Sequence, residues 1–340
     1  MLVKTSYIVK RSDIINAFKA FSDQKILVIG DSMIDSYMWG MVSRISPEAP
    51  IPVVAIENKE NRLGGAANVA LNIQALGAEP VLCSVIGNDS NSIIFDELLK
   101  KRGLALEGIV KCNDRKTTIK NRIISRNQHL LRIDEETDDS IHQKTEEELL
   151  GKINELIAGN NISAILFEDY DKGVITPGLI DNVVSLANKE NIYTVADPKR
   201  KNFSNYRNIS LFKPNFREFT EGIGKDIAKN DYDRIFDASR NLLKTSQIGS
   251  LLITLSELGI YAGTTENYEV IPAEIRDISD VSGAGDTVVS IATLCLICGM
   301  SLSDIARISN TAGGLVCEKV GVVPVNKDKL LEEVLQSYKS

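Results

Sequence analysis

Short apolar runs that end at a glycine, a proline or a polar residue recur along the chain and predict strands. The first, KILVIG at Lys25 to Gly30, is continuous rather than alternating, as expected for a strand buried on both faces of a parallel sheet. Similar runs follow at 80–87, 163–169, 192–198, 209–215 and 249–259.

Segments with apolar residues at helical spacing lie between these runs, at 66–77, 93–103, 176–191 and 233–246. Strands that alternate with helices are joined by right-handed crossovers and form a doubly wound sheet. The sequence therefore predicts an α/β fold with a mostly parallel sheet, and a functional site at the carboxyl ends of its strands.

Residues 1–24 are predicted to form a helical N-terminal extension, and we expect the main domain to occupy residues 25–340. Ser12 or Asp13 can cap this helix, because both side chains accept hydrogen bonds from backbone N–H groups. Its apolar residues recur at helical spacing, at Ile14, Ile15, Phe18 and Phe21.

Two segments do not fit the alternation of strands and helices. Residues 36–60 contain three prolines and no good helix, and residues 115–135 are rich in β-branched and charged residues. We expect each segment to form one or two strands outside the main sheet. Together they predict a small β-sheet lid over the site.

Composition and charge narrow the class of protein. The 340 residues are 43% hydrophobic and 25% charged, as in ordinary globular domains, so a disordered, collagen-like or disulfide-scaffold chain is a poor interpretation. The net charge of −7 gives no overall attraction for nucleic acid or an anionic membrane. We expect neither as a partner, and we expect a soluble protein.

The lengths of the apolar runs and the positions of the cysteines bear on cellular location and thiol chemistry. The N-terminus has no apolar run of signal-peptide length and no stretch reaches the roughly 20 apolar residues of a membrane span, so we expect a cytoplasmic protein. Five scattered cysteines favour reduced thiols. Cys295 and Cys298 form a C-x-x-C within an apolar helical run, where packing is favoured over redox or metal chemistry.

The segment Asp280 to Thr287, DVSGAGDT, precedes an apolar helical run and carries the sharpest chemical signal. Small residues at a helix start leave backbone N–H groups bare at the positive end of the helix dipole, which is an anion site. An acid at Asp286 among those amides suggests phosphoryl transfer, with the Gly283 to Gly285 amides holding a phosphate and Asp286 accepting a hydroxyl proton. An ordinary glycine loop capped by an aspartate remains an equal alternative.

Gly64-Gly65-Ala66-Ala67-Asn68 also opens a helix. Two glycines let the backbone approach a ligand closely, and the Asn68 amide can donate to and accept from a sugar hydroxyl. Close packing of helix on sheet is the alternative. Asp31 and Asp35 follow the first strand and can accept hydrogen bonds from a diol, although a cap or solvated loop is the alternative interpretation, more so for Asp31.

In this order, these elements resemble the pfkB family of carbohydrate kinases, also called the ribokinase family. The segment 64–70 is similar to the family's N-terminal signature and 280–286 to its C-terminal signature. The resemblance covers nearly the whole chain. It implies a ribokinase-like αβα sandwich with a mostly parallel central sheet and a small β-sheet lid.

Finer motifs resemble one subgroup, the D-glycero-β-D-manno-heptose 7-phosphate kinases that act in making ADP-heptose for lipopolysaccharide core. The similar segments are GDSMIDSY (30–37), SRISPEAPIPVV (43–54), DYDKG (169–173) and DPK (197–199). The resemblance implies a kinase that uses ATP and Mg²⁺ to phosphorylate the anomeric hydroxyl of the heptose 7-phosphate. The chain lacks a His-x-Gly-His nucleotidyltransferase motif, so we expect the kinase step alone.

The resemblance also implies roles for particular residues. Asp286 would be the catalytic base, with Gly283, Ala284 and Gly285 as the anion hole. Asn215 and Glu218 match an Asn-x-x-Glu motif that places the triphosphate, with Glu218 holding Mg²⁺ through water. The sugar would contact Asp35, Gly64, Gly65, Asn68 and Asp169, and the nucleotide would contact Thr254, Ser256, Gly259 and Asn310. Ser256 departs from the glycine frequent in the wider family, so its role is open.

The phosphate already on the substrate needs cations, because guanidinium forks match phosphate oxygens and lysine supplies a point charge. The sequence ranks the candidates poorly, and a solvated surface cation is the alternative for each of them, less so for Lys172. Arg44 and Lys172 are preferred because they lie in the matching motifs. The other candidates are Arg62, Lys120, Arg122, Lys199 and Arg200.

The predicted lid also bears on how the chain assembles. Exposed lid strands would leave edges that need cover, which favours a homodimer joined lid to lid. Activation by a monovalent cation is left open. The rivals are a kinase of another phosphosugar or nucleoside and, from another class, a non-catalytic sugar-nucleotide sensor, for which an intact Asp286 would serve no purpose.

Overall fold

The computed structural model describes residues 10–126 and 128–338. Its strands are β1 (Lys25–Gly30), β2 (Ser32–Ile45), β3 (Pro52–Gly65), β4 (Glu79–Gly87), β5 (Ile109–Cys112), β6 (Ile119–Ser125), β7 (Gln128–Glu135), β8 (Ala164–Glu168), β9 (Tyr193–Asp197), β10 (Leu211–Phe212), β11 (Ser250–Thr254), β12 (Ile260–Gly263) and β13 (Tyr268–Ile271). Its helices are α1 (Arg11–Ala20), α2 (Ala66–Ala75), α3 (Ser90–Lys101), α4 (Gln143–Gly159), α5 (Pro177–Lys189), α6 (Phe216–Ile223), α7 (Tyr232–Ser246), α8 (Ala284–Ile297), α9 (Leu302–Cys317) and α10 (Lys327–Ser337).

The central sheet has nine strands in the order β13-β12-β11-β10-β9-β8-β1-β4-β5. The run from β11 to β5 is parallel throughout, and β12 and β13 extend one edge in antiparallel pairing. The predicted α/β fold with a mostly parallel sheet is therefore confirmed. The antiparallel edge was not predicted, because short strands such as IYAG give little pattern.

Alternate residues of each central strand bury on opposite faces of this sheet, which accounts for the continuous apolar runs. Ile26 and Val28 of β1 face a core formed with α1, α2, α3, α8, α9 and α10, whereas Leu27 and Ile29 face the core formed with α4, α5, α6 and α7. The molecule is thus a three-layer αβα sandwich.

Helix α1 packs into the first of these cores through Ile14, Ala17 and Phe18. The cap differs from the sequence-based expectation. Lys10 is the cap residue, and Asp13 lies in the first turn, where its carboxylate accepts a hydrogen bond from the Lys10 N–H at 3.2 Å. Residues 1–9 of the predicted extension lie outside the described residues.

A second sheet of four strands, in the order β3-β2-β6-β7, forms the expected lid. Its strands begin earlier than the segment 36–60 suggests, since β2 starts at Ser32, directly after β1. Strands β2 and β3 form a long antiparallel hairpin, and β2 pairs with β6 in parallel. Because β3 ends at Gly65 and α2 begins at Ala66, the lid is continuous with the predicted sugar-binding loop.

Within the described helices, none combines the length and apolar character required to cross a membrane. Cys295 and Cys298 pack on α8 within the apolar core, with Cys298 Sγ 3.7 Å from the carbonyl oxygen of Ala17. All five cysteines are free thiols.

Candidate functional site

The first turn of α8 forms the centre of the site. Gly283 caps the helix with φ of +78°, a conformation that favours glycine, and places Asp286 in the first turn. N–H groups in a first turn have no carbonyl partner inside the helix and concentrate its positive dipole. One N–H group of the predicted anion hole is already used: the Ala284 N–H donates to the Val281 carbonyl at 3.3 Å.

The Asp286 carboxylate is only 4% exposed and lies between two hydrogen-bond donors. Asn68 Nδ2 donates to Oδ2 at 2.6 Å, and the Tyr170 hydroxyl donates to Oδ1 at 2.8 Å. Burial raises the pKa of Asp286 to about 6, although these two hydrogen bonds act to lower it. The carboxylate is therefore ionised at neutral pH yet is a better base than an exposed aspartate.

Tyr170 is a site residue that the sequence analysis did not select, although it lies in the DYDKG segment. Asp31 fixes this loop, because its carboxylate accepts hydrogen bonds from the N–H groups of Tyr170 (2.8 Å), Lys172 (3.1 Å) and Val174 (3.0 Å). Burial, and then the Asp286 charge, raise the pKa of the Tyr170 hydroxyl well above its ordinary value, so it keeps its proton and donates. Asp31 thus organises the loop.

Asp169, expected at the sugar, turns into the protein. Its Oδ1 accepts from the Asp171 N–H at 2.8 Å and its Oδ2 from Asn202 Nδ2 at 3.0 Å, and the residue is 1% exposed. Burial and the nearby Asp31 raise the pKa of Asp169 to about 7. The structure therefore gives Asp169 a part in shaping the loop and does not place its carboxylate with the sugar-side residues.

The other predicted sugar-side residues do lie together. An added Cβ at Gly64 would lie 2.3 Å from Asp35 Oδ2, and one at Gly65 (φ +58°) would lie 2.2 Å from the Asp31 carbonyl oxygen. Both glycines are therefore required by close approach of the lid hairpin to the start of α2. Asn68 follows one turn later, and its Oδ1 is buried without a hydrogen-bond partner.

Several residues predicted to contact the nucleotide gather around α6, and with Lys199 they are called the nucleotide-side group. The Asn215 side chain accepts from the Glu218 N–H and the Glu218 carboxylate accepts from the Asn215 N–H, each at 2.8 Å, in a reciprocal capping box. Glu218 also pairs with Lys199. Thr254 forms a β-bridge with Asn215, which brings the loop after β11 to this group.

The loop after β11 has the backbone conformation that accounts for the glycine frequent in the wider family, and nothing in the structure explains the serine at position 256. Ser256 has φ of +53°, in the left-handed region that glycine occupies without strain. Gly259 has φ of +93°, and a Cβ there would lie 1.9 Å from the Ile271 carbonyl oxygen. Asn310, on α9, is partly buried and donates from Nδ2 to the Pro272 carbonyl at 2.9 Å.

The carboxylate of Glu218 fits a metal ion that is also held by a phosphate ligand. No cluster of three histidine, cysteine, aspartate or glutamate side chains in the described chain could hold a metal ion alone. Mg²⁺ ordinarily keeps several waters and binds through one or two carboxylates plus substrate phosphates. Glu218, in the first turn of α6 beside Lys199, suits that mode of binding.

Most of the candidate cations are already paired with carboxylates. Arg122 pairs with Asp35, Arg62 with Glu60, Lys120 with Asp134 and Glu136, and Lys172 with Glu136 and Asp138. Arg44 lies elsewhere: it is exposed near the far end of β2, nine residues and roughly 30 Å along the strand from Asp35. Arg200 is exposed as well, and Lys199 belongs to the nucleotide-side group.

A row of buried charges beneath α8 was not predicted. The Lys213 ammonium is 2.7 Å from Asp197 Oδ2, and both residues are almost fully buried. A Cβ at Gly285 would lie 3.8 Å from each of these atoms, so the pair adjoins the anion hole. Burial lowers the pKa of Lys213, but the carboxylates of Asp197 and Glu218 outweigh burial and raise it, so the lysine stays charged.

These residues were missed because each follows an apolar strand and looks like an ordinary strand terminus in sequence. A general signal was available: parallel strands end at one edge, so polar residues that follow successive strands converge there.

A parallel sheet under a lid, with an ionised buried acid in the first turn of a helix, is the arrangement expected of a small-molecule kinase. The model of the pfkB family of carbohydrate kinases matches residues 23–329, and the chain belongs to that family.

Curated relatives agree with this assignment. The bifunctional protein HldE of Citrifermentans bemidjiense is 37% identical over 327 residues, which are 96% of this chain and 66% of that protein. HldE of Helicobacter pylori strain G27 is 38% identical over 300 residues, 88% of this chain and 64% of that protein. The chain thus spans somewhat less than two thirds of the length of these relatives.

Solved structures show the same fold. Phosphofructokinase-2 of Escherichia coli in complex with potassium matches with a TM-score of 0.75 and 18% identity over 93% of this chain and 99% of that chain. The same enzyme in complex with fructose-6-phosphate matches with a TM-score of 0.74 and 17% identity over the same shares. At this identity the likeness establishes the ribokinase-like fold alone.

Proposed function

We propose that this protein is an ATP- and Mg²⁺-dependent kinase that phosphorylates the anomeric hydroxyl of D-glycero-β-D-manno-heptose 7-phosphate to the 1,7-bisphosphate, in the route to ADP-heptose and lipopolysaccharide core. The observation that carries the proposal is the Asp286 carboxylate, ionised and buried beside the anion cradle. The extensive similarity to HldE proteins and the subgroup motifs support the choice of acceptor.

Asp286 would act as the general base. It accepts the proton of the attacking hydroxyl as the oxygen bonds to phosphorus. Asn68 Nδ2 and the Tyr170 hydroxyl hold the carboxylate in place, and the unpartnered Asn68 Oδ1 supplies an acceptor for a second sugar hydroxyl. This use of Oδ1 would satisfy a buried polar atom that otherwise costs free energy.

The first turn of α8 would stabilise charge on the phosphoryl group. Its free N–H groups and helix dipole point to one position, and the Lys213 ammonium lies close to Gly285 at the same position. Because these groups are fixed before substrate binds, they need no reorganisation during transfer.

Asn215, Thr254, Ser256, Gly259 and Asn310 would hold the nucleotide, and Glu218 would hold Mg²⁺ through water. Bound Mg²⁺ supplies neutralisation of phosphate charge. Lys199, which pairs with Glu218, would add a cation at the triphosphate end. Kinases of this family use ATP and Mg²⁺.

The lid would bind the phosphate at carbon 7. Lys120, Arg122 and Lys172 have side chains only 13–15% exposed, and they lie on or beside the lid. Their carboxylate partners hold them in place, so an incoming phosphate competes for donors that are already oriented. Arg44 is too far along β2 to join them within one chain.

The lid also supports the proposal of a homodimer. Strand register places Ile56, Met38, Ile123, Leu131 and Ile133 on the same face of this sheet, opposite the face that carries Asp35 and Arg122. Ile56, Leu131 and Ile133 are 47–55% exposed. A lid-to-lid contact would bury this apolar face and cover the edge strand β7.

A different acceptor is the main alternative, because the same fold occurs in a phosphofructokinase bound to fructose-6-phosphate. Release of ADP should be measured with ATP and Mg²⁺ against heptose 7-phosphate, fructose 6-phosphate, ribose and adenosine. We expect turnover with the heptose phosphate to exceed the others strongly. Preference for another acceptor would overturn the proposed substrate and leave the proposed kinase activity standing.

Monovalent-cation activation belongs to the same assay, since Escherichia coli phosphofructokinase-2 was solved with potassium. We propose the comparison of potassium with sodium and choline salts at constant ionic strength. Higher turnover in potassium alone would identify activation, and equal turnover in all three salts would exclude it.

A further inference from the structure

Glu168 is a buried acid that the proposed mechanism does not use. It ends β8 and is 1% exposed. Parallel register sets it opposite Gly30 on β1 and opposite Asp197 on β9. Since Phe212 pairs with Ala196, the next residue, Lys213, stands beside Asp197. The row Gly30, Glu168, Asp197 and Lys213 therefore crosses four adjacent strands at their carboxyl ends.

This row, which we call the charge row, faces the first turn of α8. Val28, Leu166, Val195 and Leu211, two residues earlier on each strand, all face the core that contains α8. Neighbouring strands are separated by about 4.8 Å, so the Glu168 and Asp197 side chains start from adjacent positions on the same face of the sheet. Gly30 packs directly against the Glu168 backbone, because a Cβ there would lie 2.0 Å from the Glu168 carbonyl oxygen.

Two oxygen atoms of the charge row, Glu168 Oε2 and Asp197 Oδ1, are buried without a hydrogen-bond partner among the described residues. The other Asp197 oxygen, Oδ2, pairs with Lys213. Two adjacent carboxylates would leave both oxygens unsatisfied and repel each other. One proton on Glu168, donated to Asp197 Oδ1, would satisfy both atoms at once.

We propose that Glu168 is a positioning residue: its carboxyl group is protonated and donates a hydrogen bond to Asp197, which fixes the Asp197–Lys213 pair beneath the anion hole. Lys213 then has one orientation, close to Gly285. Glu168 touches no reacting atom and acts through Lys213. The part of this proposal that concerns turnover rests on the proposed function.

The charged and titratable groups around Glu168 agree with a neutral carboxyl. Asp197 on β9 and Asp286 on α8 are acids, and burial together with these two charges raises the pKa of Glu168 well above its ordinary value. Lys213 and Lys199 oppose that effect, and each also interacts with Asp197 and Glu218. Tyr170 and Tyr206, from the adjoining loops, carry no charge because their own pKa values are raised.

Infrared difference spectroscopy of wild type against Glu168→Gln tests the proton directly and needs no activity. The expected result at neutral pH is a band of a protonated carboxyl group in the wild type that the variant lacks. Glu221→Gln, on the surface of α6, is the control and should remove only a carboxylate band. A carboxylate band lost in Glu168→Gln would overturn the proposal.

Stability gives a second measurement that is independent of turnover. The unfolded chain ionises Glu168 above its ordinary pKa while the folded chain keeps the proton, so wild-type stability falls relative to Glu168→Gln as pH rises. One proton corresponds to at most a tenfold change in the unfolding equilibrium constant per pH unit. Equal pH dependence of both proteins between about pH 5 and 8 would contradict the proposal.

Kinetics then test the positioning role. Glu168→Gln keeps a neutral donor, so it should retain wild-type kcat at neutral pH and lack the alkaline loss caused by ionisation of Glu168. Glu168→Ala should lower kcat by roughly tenfold to a hundredfold, because misplacement of about 1 Å at a reacting centre costs up to about 10²-fold. An equal loss of kcat in both variants, together with the expected infrared result, would reject the positioning role of Glu168. The conclusion that Glu168 is protonated would still stand. Failure of the kinase assay itself would leave the infrared and stability results standing.

Discussion

Asp286 is the proposed catalytic base, and burial together with two neighbouring donors sets its basicity. Burial favours the neutral acid, while Asn68 and Tyr170 donate to the carboxylate and favour the ionised base. The balance at about 6 means that most of the protein holds the base form at neutral pH. A proton taken from a hydroxyl is then held more firmly than an exposed aspartate would hold it.

Tyr170→Phe should shift the acid limb of the kcat/KM profile to higher pH. The phenol donates to the ionised carboxylate and lowers its pKa, so its removal raises the pKa of Asp286 above about 6. The profile is measured from about pH 5 to 9. Tyr232→Phe, on α7, serves as a control and should leave the limb in place. An unchanged limb in Tyr170→Phe would show that the hydrogen bond does not tune the base.

The raised pKa of Asp286 predicts that its ionised form lowers the free energy of unfolding. Between the ordinary pKa of 3.8 and about 6, the unfolded chain ionises Asp286 while the folded chain holds the proton, so stability falls as pH rises through that window. Asp286→Asn should remove this fall and be more stable above pH 6, by about 3 kcal/mol at most. Urea unfolding at several pH values measures the difference. A constant difference across the window would contradict the assigned pKa.

At the scale of elements, the joint between lid and sheet determines the site. Strand β3 runs without interruption into α2, and the glycines at this joint let Asp35 of β2 and Asp31, between β1 and β2, approach closely. The lid hairpin therefore fixes the same backbone segment that carries Asn68 to Asp286.

Gly65→Ala should destabilise this joint strongly. A side chain would be strained at φ +58° and would place Cβ 2.2 Å from the Asp31 carbonyl oxygen. We expect a loss of about 2 kcal/mol or more in the free energy of unfolding, together with weaker sugar binding. Gly151→Ala, in α4 where a Cβ meets nothing within 4 Å, is the control and should be neutral or stabilising. Equal effects at both positions would refute the role of the joint.

The sequence could predict the central strands and the helices that connect them, because continuous apolar runs and helical spacing have physical causes that act locally. It also selected Asp286 and Asn68, which the structure brings into contact, since glycine-rich helix starts leave a recognisable pattern. It could not place Asp169, because a carboxylate after a strand can turn toward the site or toward Asn202 with no change in pattern. The charge row was missed for a related reason: its contacts depend on which strands are neighbours.

At the scale of the whole molecule, the lid has two unlike faces. The charged face covers the site, and the apolar face that includes Leu131 and Ile133 is exposed in the single chain. We therefore propose that this apolar face is the contact between two copies of the chain.

Leu131→Lys combined with Ile133→Lys should produce a monomer. Size-exclusion chromatography with light scattering should give about twice 37.3 kDa for the wild type and a single chain's mass for the variant, because two charges would be buried at the interface. Ile93→Lys, an equally exposed position on α3, should remain dimeric. A monomeric wild type would exclude the lid-to-lid assembly.

The central claim is that Asp286 removes a proton from the anomeric hydroxyl of a heptose 7-phosphate as phosphate is transferred. The most direct measurement is ADP release with ATP, Mg²⁺ and heptose 7-phosphate for wild type and Asp286→Asn, with folding of both checked by urea unfolding. We expect turnover by the wild type and a loss of about 10²- to 10⁴-fold in the folded variant. Turnover that survives in Asp286→Asn, or a wild type inactive toward the heptose phosphate, would contradict it.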